Sequence, residues 1–169
     1  MTLVDVLMAI SVLVVAVALS SMAITSSARY AEGARETVVA YEAAESILAE
    51  LDSRNFIDVF ADFNELTIDD GADSPGADFD VPGLDARPDD VDGLPGKISF
   101  PVDDGAPGVL REDLSDPRFP SPLDLDLDGA IDAVDKAATY RILPVRVEVE
   151  WRGQQGTSRV VVEGMLSQW

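Results

Sequence analysis

Hydrophobic and polar positions follow three different patterns along this chain. From Val6 to Ile24 nineteen residues pass without a charge, and Ser11, Ser20 and Ser21 are the only polar ones among them. About 20 such residues in a helix cross the hydrocarbon of a bilayer, and neither glycine nor proline interrupts the run. From Ala28 to Leu51 the pattern becomes periodic. Ala34, Val38, Tyr41, Ala44, Leu48 and Leu51 recur at steps of three and four, which predicts one apolar helix face. The two patterns join without a break, with Gly33 as the only weak point. They predict one helix from about residue 2 to about residue 52, roughly 75 Å long. Its first half is apolar on every side and needs lipid or other helices around it. Its second half can pack on a small domain.

The third pattern is strand-like. In "YRILPVRVEVEWRG" the apolar Val145, Val147, Val149 and Trp151 alternate with Arg146, Glu148 and Glu150, predicting a half-buried strand. "RGQQGT" supplies a turn, and "TSRVVVEGMLSQW" reads as the returning strand. "KISFPV", Lys97 to Val102, reads as a further short strand, and "NFIDVFADFNELTI" as a short helix or strand. Residues 53–96 are otherwise rich in Asp, Gly and Pro, the composition of a long loop. The predicted fold is α+β: a long N-terminal helix packed by a small antiparallel sheet of two or three strands, with long loops. Tyr30, Tyr41, Phe56, Phe60 and Phe63 are expected to serve core and domain packing.

Charge narrows the possible functions. The 169 residues carry 32 acids against 12 bases, a net charge of −20. Residues 53–135 hold 22 of those acids and only 5 of the bases. Nothing there would neutralise phosphates, so nucleic acid is not an expected partner. The chain has no cysteine and no histidine, which removes disulfides, thiolate metal sites and the commonest catalytic bases. No Ser-x-x-Lys or Gly-x-Ser-x-Gly stretch occurs either, and no enzymatic activity is expected. A dense acidic middle suggests solvation or divalent cations.

One acidic segment has a defined spacing. Residues 124–135 read "DLDLDGAIDAVD". Asp124, Asp126 and Asp128 fall at positions 1, 3 and 5 of a twelve-residue loop, with Gly129 at the sharp turn of position 6. Ala130 at position 7 can offer its carbonyl. Ile131 at position 8 is the expected apolar pin. Asp132 and Asp135 stand at positions 9 and 12. This is ligand spacing for Ca2+, a hard cation that takes six to eight oxygens. The loop resembles the EF-hand type, in the dockerin-like variant with aspartate at position 12. The preceding "FPSPL" has two prolines and predicts no entering helix, so the expected role is a structural clamp. Asp69, Asp70, Asp73, Asp78, Asp80, Asp89, Asp90, Asp92, Asp103 and Asp104 lack such spacing and read as solvated loop.

The N-terminus carries a family resemblance. "MTLVDVLMAISVLVV" resembles the mature N-terminus of type IV pilins and of type II secretion pseudopilins. Thr2, Leu3, Val4, Val6, Leu7, Ala9 and Ile10 match the family string, while Met1 replaces the usual phenylalanine and Asp5 the usual glutamate. "AESILAEL", Ala44 to Leu51, resembles the helix end of one minor pilin and pseudopilin branch. The resemblance covers about 25 residues in sequence and beyond residue 52 is one of architecture and calcium loop.

What the resemblance implies is specific. A prepilin peptidase would have removed a basic leader, which fits the absence of bases before Arg29, and the new N-terminus is often methylated. The subunit then leaves the inner membrane through an assembly platform and joins a helical homopolymer at the cell surface. Residues 1–27 would be membrane anchor first and filament core later, 28–52 the amphipathic half-helix, and 53–169 the globular head. Met1 and Asp5 are the implied assembly residues, the α-amino group and the carboxylate pairing within or between subunits. A pilus subunit is the leading expectation, and a type II secretion pseudopilin that drives protein export is the alternative.

Overall fold

A computed structural model of the chain describes residues 2–65, 75–103, 105–154 and 156–168. Helix α1 runs without interruption from Leu3 to Ser53, 51 residues. Gly33 is accommodated inside it with no break. Every described residue up to Glu32 is exposed. In that stretch the hydroxyls of Ser11, Ser20, Ser21 and Thr25 each donate to the carbonyl four residues earlier, at 2.8–3.0 Å. Their polarity is absorbed within the helix, which makes this half compatible with an apolar surrounding. By length and composition it can cross a membrane, as an anchor or a signal sequence would.

A short helix α2, Phe56–Phe63, follows after a sharp turn. The strands are β1 (Asp78–Phe79), β2 (Gly96–Ser99), β3 (Val102–Asp103), β4 (Ala106–Leu110), β5 (Ile142–Gly153) and β6 (Gly156–Ser167). One antiparallel sheet has the order β1-β2-β5-β6, and β3 and β4 form a separate hairpin. The β5–β6 hairpin dominates, with twelve paired positions from Ile142 opposite Ser167 to Gly153 opposite Gly156. The expected α+β architecture, a long helix against a small antiparallel sheet, is present. The sheet has one strand more than expected. "KISFPV" is divided: its front half pairs with β5, while Val102 turns away to pair with Leu110.

Period two explains β5. Leu143, Val145, Val147, Val149 and Trp151 are buried on one face. On the other, Arg146 pairs with Glu163 at 2.8 Å and Arg87 with Glu150 at 3.0 Å, cross-strand or loop contacts that suit a solvated face. Pro144 falls where, among the described residues, β5 pairs with β6 alone, since β2 ends opposite Arg146. Proline belongs at such a position because it cannot donate to a second strand.

The helix packs on this sheet through a face that shares Ala44, Leu48 and Leu51 with the predicted stripe and is rotated away from its other members. Ala40, Ala44 and Leu51 are buried, with Val39, Ala43, Ile47 and Leu48 packed against the same core. Ala34 is exposed, and Val38 and Tyr41 remain 55% and 48% exposed. Tyr30 is exposed as well, so neither tyrosine serves the core. Small residues win the interface because they let the helix approach closely. Opposite them, a Cβ on Gly164 of β6 would stand 3.1 Å from Leu48 Cδ2. Near the head's outer end of this contact, Trp151 Nε1–H donates to Glu36 Oε2 at 3.1 Å. Helix α2 closes the far end: Phe60 meets Phe100 edge-on at 5.4 Å, and Tyr140 Oη donates to the Phe56 carbonyl at 2.6 Å.

Candidate functional site

Two places carry the sequence-predicted residues. The first is the start of α1. Asp5 lies in the first helical turn and its Oδ2 accepts the Thr2 N–H at 2.9 Å. A carboxylate at this position satisfies an N–H that the helix leaves unbonded and faces the positive end of the helix dipole. Met1 lies outside the described residues, so of the expected pair the structure places Asp5.

The second is the loop that starts after Leu123. Asp124 organises its first turn: Oδ1 accepts the Asp128 N–H at 3.2 Å and Oδ2 the Gly129 N–H at 2.9 Å. The tight path requires left-handed backbone at Leu127 (φ 60°) and at Gly129 (φ 88°). Glycine supplies the second of these at no steric cost. Asp128 Oδ1 accepts the Ala130 N–H at 2.8 Å. The apolar pin is Leu125, buried at 1% exposure, and not Ile131, which is 45% exposed. Leu125 is held from both sides, because its carbonyl accepts the Arg141 and Ile142 N–H groups at 2.8 and 3.0 Å. The loop is thereby fastened directly to the first residue of β5.

A residue outside the twelve organises the site. Glu112 follows β4 two residues after Leu110, and its side chain is fully enclosed. Its Oε1 accepts the N–H groups of Leu125 at 2.8 Å and Asp126 at 3.3 Å, and its Oε2 that of Asp132 at 3.2 Å. Carboxylate oxygens of Glu112, Asp124 and Asp126 all lie within 4.8 Å of one another, an arrangement that can hold a metal ion. The donor set is all oxygen and carries more negative charge than its surroundings balance. That fits a hard divalent cation better than a soft one.

Asp132 and Asp135 are not among the three carboxylates that converge. Asp132 Oδ2 is 3.4 Å from Lys136 Nζ. Asp135 Oδ1 accepts the N–H groups of Leu110 at 3.1 Å and Ala137 at 3.0 Å, tying the loop's end to β4. Lys136 brings the only ammonium of this cluster: Nζ is 2.8 Å from Asp126 Oδ2 and 3.6 Å from Glu112 Oε2. Its hydrogen bond holds the Asp126 carboxyl below the usual carboxylate range, and Asp126 in turn pushes the lysine's pKa up. Among the other acids, Asp69, Asp70, Asp73 and Asp104 lie outside the described residues. Several of the rest serve local ion pairs, as Asp89 does with Arg87 at 2.7 Å and Asp103 with Arg111 at 2.8 Å.

The chain therefore presents an exposed apolar rod and, on its head, an acidic cup suited to a cation. No family model, curated protein or solved structure matches the sequence or the fold.

Proposed function

We propose that this chain is a structural subunit of a filament of the type IV pilus class, polymerising through α1, with an outer domain clamped by Ca2+. The observation that carries the reading is the projecting half of α1. It is apolar on every side, its hydroxyls are bonded within the helix, and none of the described residues covers it. Exposed apolar surface of that extent needs a partner. Lipid serves before assembly, and the same half-helix of neighbouring subunits serves afterwards. Asp5 then has a second task. In a subunit processed so that Met1 carries the free α-amino group, that charge in an apolar core needs an anion, and the Asp5 carboxylate of an adjacent subunit accepts from it. Such a buried pair sets register more than it adds stability. In the head, Glu112, Asp124 and Asp126 hold the cation, which fixes the loop against the start of β5.

The acidic loop also favours a second reading, a type II secretion pseudopilin, whose members resemble this chain in a calcium-bearing loop of the head. Electron microscopy of native material and of Asp5→Ala tests both. Long fibres from the wild type, and membrane-inserted but unassembled Asp5→Ala subunits, are expected. Normal filaments from Asp5→Ala would refute the role of Asp5. Short fibres with lost protein export on deletion would move the chain to the secretion class.

A further inference from the structure

The acidic cup already contains a cation, and it belongs to the chain. Lys136 Nζ lies 2.8 Å from Asp126, 3.4 Å from Asp132 and 3.6 Å from Glu112, and the side chain is 6% exposed. Two of these carboxylates, Asp126 and Glu112, belong to the three whose oxygens converge. A divalent ion held by that trio and an ammonium in the present position would share two carboxylates and repel each other at close range. Only the side chain has to yield. The Lys136 backbone is fixed independently, its N–H donating to the Leu110 carbonyl at 2.8 Å and its carbonyl accepting from Thr139 and Tyr140 at 2.9 Å each.

We propose that Lys136 is a tethered competitor for the cation site: its ammonium fills the cup when divalent ions are scarce and swings out to solvent when one binds. The inference rests on the reading of the loop as a cation site. A charge on a short tether is present at high effective concentration, so it lowers the affinity for the metal. That suits a module meeting about millimolar calcium outside a cell. It also keeps the loop folded while the metal is absent, since Glu112 and Asp126 are never left without a counter-charge.

The chain has two lysines, Lys97 and Lys136, which makes the test direct. The full-length protein in detergent micelles is labelled with an amine-reactive reagent, in EDTA and in calcium chloride, and each lysine is read by mass spectrometry. Lys97, whose side chain is 49% exposed, is the internal reference. Lys136 is expected to be protected in EDTA and to gain about tenfold in labelling with calcium, while Lys97 does not change. Calorimetry should show Lys136→Met binding calcium about tenfold or more tighter than wild type, as expected for the loss of a charge-assisted competitor. Calcium binding with Lys136 equally protected, or with equal affinity in the variant, would overturn the competition and leave the metal site standing. No calcium binding by either protein would refute the metal reading, and the competition with it. If Lys136→Met does not fold, the wild-type labelling decides alone.

Discussion

Glu112→Ala separates what the protein does for the loop from what a metal would do. In EDTA the loop depends on its own hydrogen bonds, and Glu112 accepts three of them, from Leu125 at 2.8 Å, Asp132 at 3.2 Å and Asp126 at 3.3 Å. The Leu125 N–H is buried, and losing its acceptor costs about 1–3 kcal/mol. The other two are partly accessible, so water recovers much of their loss, and about 0.5 kcal/mol each is a fair allowance. The sum is about 3 kcal/mol, which in a head of this size lowers Tm by roughly 10 °C. Thermal unfolding followed by circular dichroism in EDTA measures it, and hydrogen exchange at Leu125 and Asp132 locates it. Glu112→Gln keeps one oxygen acceptor and should fall between the two. If Glu112→Ala melted within about 2 °C of wild type, with both amides equally protected, Glu112 would not organise the loop and the reasoning would fail.

Two further outcomes test the packing of the head. Trp151→Phe removes the hydrogen bond to Glu36 and leaves a void at a site 1% exposed. It should cost about 2–3 kcal/mol in chemical denaturation, and a loss below about 0.5 kcal/mol would show that the contact does not hold helix to sheet. Burial pushes the Tyr140 phenol up to about 12. Below pH 10 folded and unfolded chains both keep this proton, so it adds no pH dependence. Between about pH 10 and 12 the unfolded chain ionises first, and stability should fall by about 2–3 kcal/mol. Tyr140→Phe should flatten that slope, and an unchanged slope would mean the hydroxyl titrates freely.

The parts of the fold with a regular period were legible. β5 was readable because Arg146, Glu148 and Glu150 separate its buried residues, and α1 because nothing between Leu3 and Ser53 can stop it. The buried face of α1 was legible in part: Ala44, Leu48 and Leu51 follow from the period, while Ala40 and Ala43 do not. Ala40 lies on the sheet, while Val38 and Tyr41 stay 55% and 48% exposed. β1 and β3 have two residues each, too few to show any period. In the cup, Asp124 and Asp126 followed from spacing. Glu112 did not, since it belongs to the chain beyond another strand and reaches the loop only through tertiary contact. Its one local signal is an acid standing next to Arg111 that takes no part in the Arg111 ion pairs with Asp103 and Asp113.

The grip on α1 has a mechanical consequence. The head holds the helix from Glu36 to Leu51, about 22 Å, while some 50 Å projects beyond toward Leu3. A sideways force at the free tip is therefore levered. Balance of moments puts about three times that force on the near edge of the grip, and the contact there is Trp151 with Glu36. A pull along the axis has no such lever arm and is shared by Ala40, Ala44, Leu48 and Leu51 in shear. Tension along the rod is thus spread over several side chains, while bending loads first the end of the grip where Trp151 meets Glu36.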